Sequence, residues 1–149
     1  MVLLLVGCKG SDTQSNSVDV FYQGSTASWD ALRIPLIKPY EALKLNGSNE
    51  WIVSLKQTVG AATNIKELNV VDNLIVLHSG NSYCNYEEVD EAWYLIIPVK
   101  QQEVCFLSER EFSKYLDSRQ IAKPKFHPVD TVFGQFTKTN KIDWKKDFK

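Results

Sequence analysis

Ala92-Trp93-Tyr94-Leu95-Ile96-Ile97-Pro98-Val99 decides the fold. Large apolar residues stand at both parities of this run, so a strand built from it offers no face to water and has to be covered on both sides. That places residues 92–99 at the centre of a sheet and at the heart of the core. Downstream, residues 100–103 turn the chain into Val104-Cys105-Phe106-Leu107. Upstream, residues 65–71 and 74–77 flank Asp72-Asn73, a pair that tolerates positive φ and suits a two-residue hairpin turn. Asn46-Gly47 is a second turn signal. Ahead of it, residues 33–45 are extended, because Pro35 and Pro39 forbid a helix and each removes a ladder donor, which assigns the segment to an edge or a bulge. Behind it, Trp51, Val53 and Leu55 alternate onto one face. Val18-Asp19-Val20-Phe21-Tyr22 reads as a first strand, broken by Gly24-Ser25-Thr26.

One helix is clear. Ser108 and Glu111 form the capping box S-x-x-E, in which each side chain satisfies an orphan donor at the helix start, and Leu107 and Phe112 occupy the staple positions around it. Phe112, Tyr115 and Leu116 supply the buried stripe, and Lys123-Pro124 closes the element after about three turns. Residues 126–144 are too aromatic for a loose tail and read as a final strand or short helical turn, with Asn140 at a bend. The expected fold class is α+β: a mainly antiparallel sheet with one C-terminal-half helix packed on one face. Residues 18–149 form a single domain in this reading.

Charge is nearly balanced, 17 Lys plus Arg against 18 Asp plus Glu, which argues against a general nucleic-acid binder. The charge is unevenly spread: Glu87, Glu88, Asp90 and Glu91 are clustered, while Lys123, Lys125, Lys138, Lys141, Lys145, Lys146 and Lys149 crowd the last segment. His78 and His127 are the two histidines, and neither sits at metal-ligand spacing, so no metal or cofactor is expected. G-x-S-x-G, G-x-x-x-x-G-K-[ST] and G-x-G-x-x-G do not occur, and no catalytic residue is assigned. Asp30, Arg33, Lys38 and Glu41 around the double-proline strand are candidates to line a groove. The acidic run lacks the pattern of a calcium loop, and its neighbours point to opposite faces of a strand.

The N-terminus carries an address. Met1-Val2-Leu3-Leu4-Leu5-Val6-Gly7-Cys8 is an apolar run ending in a small residue and a cysteine, and Leu5-Val6-Gly7-Cys8 resembles a bacterial lipobox. The resemblance implies cleavage before Cys8, diacylglycerol on its sulfur and a membrane-anchored protein of the bacterial cell envelope, with residues 1–7 as signal-peptide remnant. Residues 8–17 then form the lipidated cysteine and its tether, since Lys9-Gly10-Ser11-Asp12-Thr13-Gln14-Ser15-Asn16-Ser17 has no apolar side chain to bury. With Cys8 acylated, Cys84 and Cys105 remain as a candidate disulfide in an oxidising compartment. A turn near Gln101-Gln102 sets Pro98 opposite Cys105, so the bond needs residues 79–89 to fold back until the Cα atoms lie within roughly 7 Å. The pairing stays open on sequence alone.

The leading expectation for function is a non-catalytic, lipid-anchored binding module, with an immunity-type inhibitor of a secreted toxin as a subtype by analogy. Its expected protein-contact surface is a loop over residues 81–91, carrying Tyr83, Tyr86, Glu87, Glu88, Asp90 and Glu91. A second class is an envelope hydrolase using Glu88 and Asp90 on cell-wall or surface glycans.

Overall fold

A computed structural model describes residues 19–28 and 30–149; Cys8, the polar tract after it and Trp29 lie outside the described residues. The fold is α+β, with two five-stranded antiparallel sheets. The first is a meander of short strands, β1 Thr26–Ser28, β2 Ala31–Pro35, β3 Glu41–Leu45, β4 Ile52–Ser54 and β5 Ala61–Ala62, adjacent in sequence order. The second contains β6 Ile65–Val71, β7 Leu74–Cys84, β8 Glu87–Ile97 and β9 Gln102–Phe106, and β10 His127–Pro128 returns to pair with β6. Helix α1 Glu109–Ser118 follows β9, and α2 Val129–Thr139 and α3 Trp144–Asp147 follow β10. The one sheet expected from the sequence is thus two. Asn64, at φ 46°, turns the chain between β5 and β6, so that β6 pairs with β7 rather than continuing the meander.

The apolar parities explain the layers. Ile34, Ala42 and Val53 of the first sheet meet Leu77, Tyr94 and Ile96 of the second in one core, which Val129, Val132 and Phe136 of α2 also enter. The opposite parity of the second sheet, Val76, Leu95 and Ile97, is covered with Phe106 by Phe112 and Leu116 of α1. β8 is therefore buried on both faces over its apolar half, as the two-sided run 92–97 requires. The run ends sooner than its composition suggests: Pro98–Lys100 is a 3-10 turn and Val99 is 83% exposed.

Both predicted hairpins are present. β3 and β4 pair around the Asn46-Gly47 turn, with Gly47 at φ 82°. β6 and β7 close on Asp72-Asn73, both residues left-handed at φ 49° and 63°. Residues 33–45 prove to be two strands, and β2 is an inner strand instead of an edge. Pro35 is tolerated there because Arg33 N–H points to Ser25, and the missing donor two residues on faces the same side, past the end of β1.

Three further readings are corrected. Residues 20–22 form a 3-10 turn instead of a strand, since the Asp19 carboxylate accepts from Phe21 N–H at 2.9 Å and offers the backbone a local partner. Helix α1 has the predicted cap, Ser108 Oγ accepting from Glu111 N–H at 3.2 Å, while Glu111 reaches Leu107 N–H at 3.3 Å; it stops at Ser118, with Gln120 left-handed, ahead of Lys123-Pro124. Leu107 is exposed, so the staple lacks one half. Residues 129–139 make a full helix where a strand or short turn was expected. Its start has Pro128 with no side-chain cap, and β-branched Val129, Thr131 and Val132 with Gly134 weaken its propensity, so its order comes from burying Val129, Val132 and Phe136. Asn140, at φ 56°, ends it at the expected bend.

Candidate functional site

The segment from residue 81 to 91 is the end of a long hairpin and not a loop. β7 and β8 are eleven residues each and stay in register from Ile75↔Ile96 to Cys84↔Glu87, closing on a two-residue turn, Asn85-Tyr86. The sequence hides this because Gly80, Asn81, Ser82 and the carboxylates of β8 have little strand propensity. Tertiary contacts supply the order. Tyr94, buried on β8, donates its hydroxyl to the Tyr83 carbonyl and meets Ser82 Oγ at 2.9 Å. Ser82 Oγ in turn accepts from Thr63 N–H at 3.1 Å. Burial is the main reason the Tyr94 phenol is pushed up, opposed by its bond to Ser82.

These bonds curl the hairpin end back over Tyr94, which is the register partner of Cys105. Cys84 and Cys105 are joined in a disulfide with their Cα atoms 5.7 Å apart. The residue opposite Cys105 is Tyr94 and not Pro98, because the turn between β8 and β9 is spent on the 3-10 residues Pro98–Lys100 and left-handed Gln101.

Facing the tip across a cleft of about 420 Å³ is the loop between β4 and β5, with Val59, Tyr83, Tyr86 and Glu103 in the lining. Glu103 fixes that loop. Its Oε1 accepts from Tyr40 Oη at 2.7 Å and Lys56 N–H at 2.6 Å, and its Oε2 from Gln57 N–H at 3.1 Å, Thr58 N–H at 3.0 Å and Thr58 Oγ1 at 3.1 Å. Desolvation is the largest single influence and pushes the carboxyl up, but the amides and Tyr40 together outweigh it and the net shift is downward. Tyr40 is pushed up to about 12 by burial and by the bond and charge of Glu103. No local sequence signal marks Glu103, whose partners stand 45 to 63 residues away.

The predicted contact residues separate. Tyr86 is 82% exposed and Tyr83 51%, and Val59 beside them is 87% exposed. The Tyr83 hydroxyl donates to Glu88 Oε1 at 2.8 Å, and that bond, then the Glu88 charge, raises its pKa. Glu87, Glu88 and Asp90 are exposed, and neither Glu88 nor Asp90 lines the cleft. The one carboxylate that does line it, Glu103, has both oxygens engaged. Glu91 belongs elsewhere: it lies 3.5 Å from Lys66 Nζ and 3.4 Å from His78 Nε2. His78 also meets Glu67 at 2.9 Å and stacks on Trp93 with ring centroids 4.7 Å apart. Among the described residues, no group of three or more His, Cys, Asp or Glu side chains is arranged to hold a metal ion.

Of the groove candidates, Asp30 lines a cleft of about 250 Å³ beside the Asn46-Gly47 turn, while Arg33 and Glu41 are engaged with each other. Arg33 is paired with Glu41 at 2.8 Å and donates to the carbonyls of Phe21 and Gln23, tying the first described segment to the first sheet. Comparison with protein-family models, with characterised proteins and with solved structures returns no match.

Proposed function

We propose that this chain is a lipid-anchored binding module of the bacterial envelope that engages a protein partner through the tip of the β7–β8 hairpin, with Tyr86 as its leading contact. One observation carries the reading. Tyr86 occupies the second position of a two-residue hairpin turn at φ 70°, a conformation that suits glycine or asparagine and is strained for a bulky side chain, yet the residue is 82% exposed. The fold gains nothing from a tyrosine there, whereas an interface does, because tyrosine brings large amphipathic area with few rotors. The setting is pre-organised. The disulfide holds the tip, Glu103 holds the opposite loop, and exposed Val59 and Tyr83 extend the apolar surface, so little ordering cost falls on association. Glu87, Glu88 and Asp90 around the tip match a partner whose contact surface is basic.

A photoreactive aromatic amino acid placed at position 86, with the same group at exposed Arg110 as control, tests this in intact cells. The expected result is a discrete protein adduct from position 86 that Tyr83→Ala weakens. Identical adduct patterns from both positions, or none from either, would overturn the contact. The mass of the N-terminal fragment containing Cys8 tests the anchor directly.

A further inference from the structure

Resting on that anchored reading, we infer that the lysine-rich surface at the Asp72-Asn73 end of the second sheet is a docking surface for anionic phospholipid headgroups, which sets the domain on the membrane by this face.

The last lysines of the chain gather into one surface. Two adjoining grooves, about 620 and 1180 Å³, share Trp144 and Lys145 and are lined by eight basic residues against three acidic ones. Two of the three acids are turned inward on their own helix: Asp143 accepts from Lys145 and Lys146 N–H, and Asp147 from Asp143 N–H. Lys123 is held by Glu109, but Lys100, Lys125, Lys141, Lys145, Lys146 and Lys149 make no ion pair among the described residues. Exposed Val99 stands beside Lys100 in the lining of the larger groove and adds an apolar group to this surface. Lysines near an anionic bilayer surface each contribute binding, and the contribution decays within a Debye length.

The path of the chain chooses a bilayer as the occupant. Ile142 N–H donates to the Tyr22 carbonyl and Gly24 N–H to the Asn140 carbonyl, and Tyr22 lines the smaller groove with Lys141 and Lys145. The first described residues therefore leave the domain beside the lysines. From Asp19 back to Cys8 the chain can span at most about 40 Å, so an acyl group on Cys8 would hold the domain within that distance of a bilayer, tethered from its lysine-rich side.

The test uses the full chain carrying Cys8→Ser, so that no acyl group contributes, with vesicles of phosphatidylcholine alone and of phosphatidylcholine mixed with phosphatidylglycerol. The expected result is sedimentation with the anionic vesicles only, weakening as salt is raised. Lys100→Gln, Lys145→Gln and Lys149→Gln together lower the partition roughly 100-fold, at roughly fivefold per lysine. The matched set Lys44→Gln, Lys56→Gln and Lys66→Gln, away from the grooves, changes it by less than about twofold. Equal binding to both vesicle types, no binding, or a groove triple variant that binds like the parent would overturn the inference; near-ultraviolet circular dichroism establishes that each variant is folded. The two readings fail separately. A bare Cys8 with intact anionic-vesicle binding removes the anchor and leaves the docking face, and an acylated Cys8 without charge-dependent binding does the reverse.

Discussion

Two turns of the second sheet share a shape and differ in chemistry. Asp72-Asn73 and Asn85-Tyr86 are both two-residue hairpin turns with positive φ at each position, 49° and 63° in the first, 52° and 70° in the second. The first uses residues whose short polar side chains tolerate that conformation, and it sits at the lysine-rich end of the molecule. The second puts a tyrosine where such a residue belongs, and then surrounds it with a disulfide and a five-donor carboxylate clamp. One turn serves the fold. The other is sustained by the fold and serves something outside it.

The sharpest way to break this contrast is to remove the cross-link. With its cysteines 21 positions apart, the disulfide stabilises by about 3 kcal/mol on loop-closure grounds. Cys84→Ser with Cys105→Ser should lower the free energy of urea unfolding by that amount. Native-state hydrogen exchange should then rise more for amides at 81–88 than at 70–76. Equal loss at both ends would mean that the bond supports the whole sheet and the tip has no special dependence on it.

Glu103 comes next. In Glu103→Gln the amide NH2 must oppose either Lys56 N–H or the N–H groups of Gln57 and Thr58, so in both orientations donors face donors, and about 1 to 3 kcal/mol is lost. The pH dependence has a definite sign. Because the folded carboxyl titrates below its ordinary value, its contribution is complete above the ordinary glutamate range and fades as pH falls through the lowered folded value. The Gln variant should lose that component of acid sensitivity, read as converging melting temperatures of variant and parent in increasingly acid buffer. A constant gap at all pH values would show that the clamp works through shape alone.

What was legible in the sequence was what local pattern encodes. The two-sided run 92–97, the Asp72-Asn73 turn and the Ser108 cap each depend on residues within a few positions of one another, and each is in place. Tyr83 and Tyr86 stood out as aromatics in a polar stretch, but the hairpin beneath them did not, since its order comes from Tyr94, Ser82 and Thr63 across three different strands and loops. Grouping by sequence proximity also joined Glu91 to the tip, when its place on β8, five residues past Tyr86, carries it to Lys66 and His78 instead. Helix α2 was illegible for the opposite reason: its local signals oppose helix, and burial against both sheets overrides them.

The smallest effect is the most discriminating. Tyr86→Gly replaces the strained residue with the one that fits a second left-handed turn position, turning Asn85-Tyr86 into the most favourable two-residue hairpin pair. Relief of the steric cost of a left-handed β-carbon exceeds the extra entropy glycine brings to the unfolded chain, so stability should rise by up to about 1 kcal/mol. At 82% exposure the residue buries little area that would offset the gain. Partner binding should fall in the same variant, because the exposed area is gone while the disulfide and clamp remain. The companion substitution Asn73→Gly at the lysine-rich end should raise stability by a similar or smaller amount and leave tip binding unchanged. Opposite movements of stability and binding at position 86 are what an interface tyrosine requires. If stability falls with binding, Tyr86 is a structural residue and the contrast between the two turns disappears.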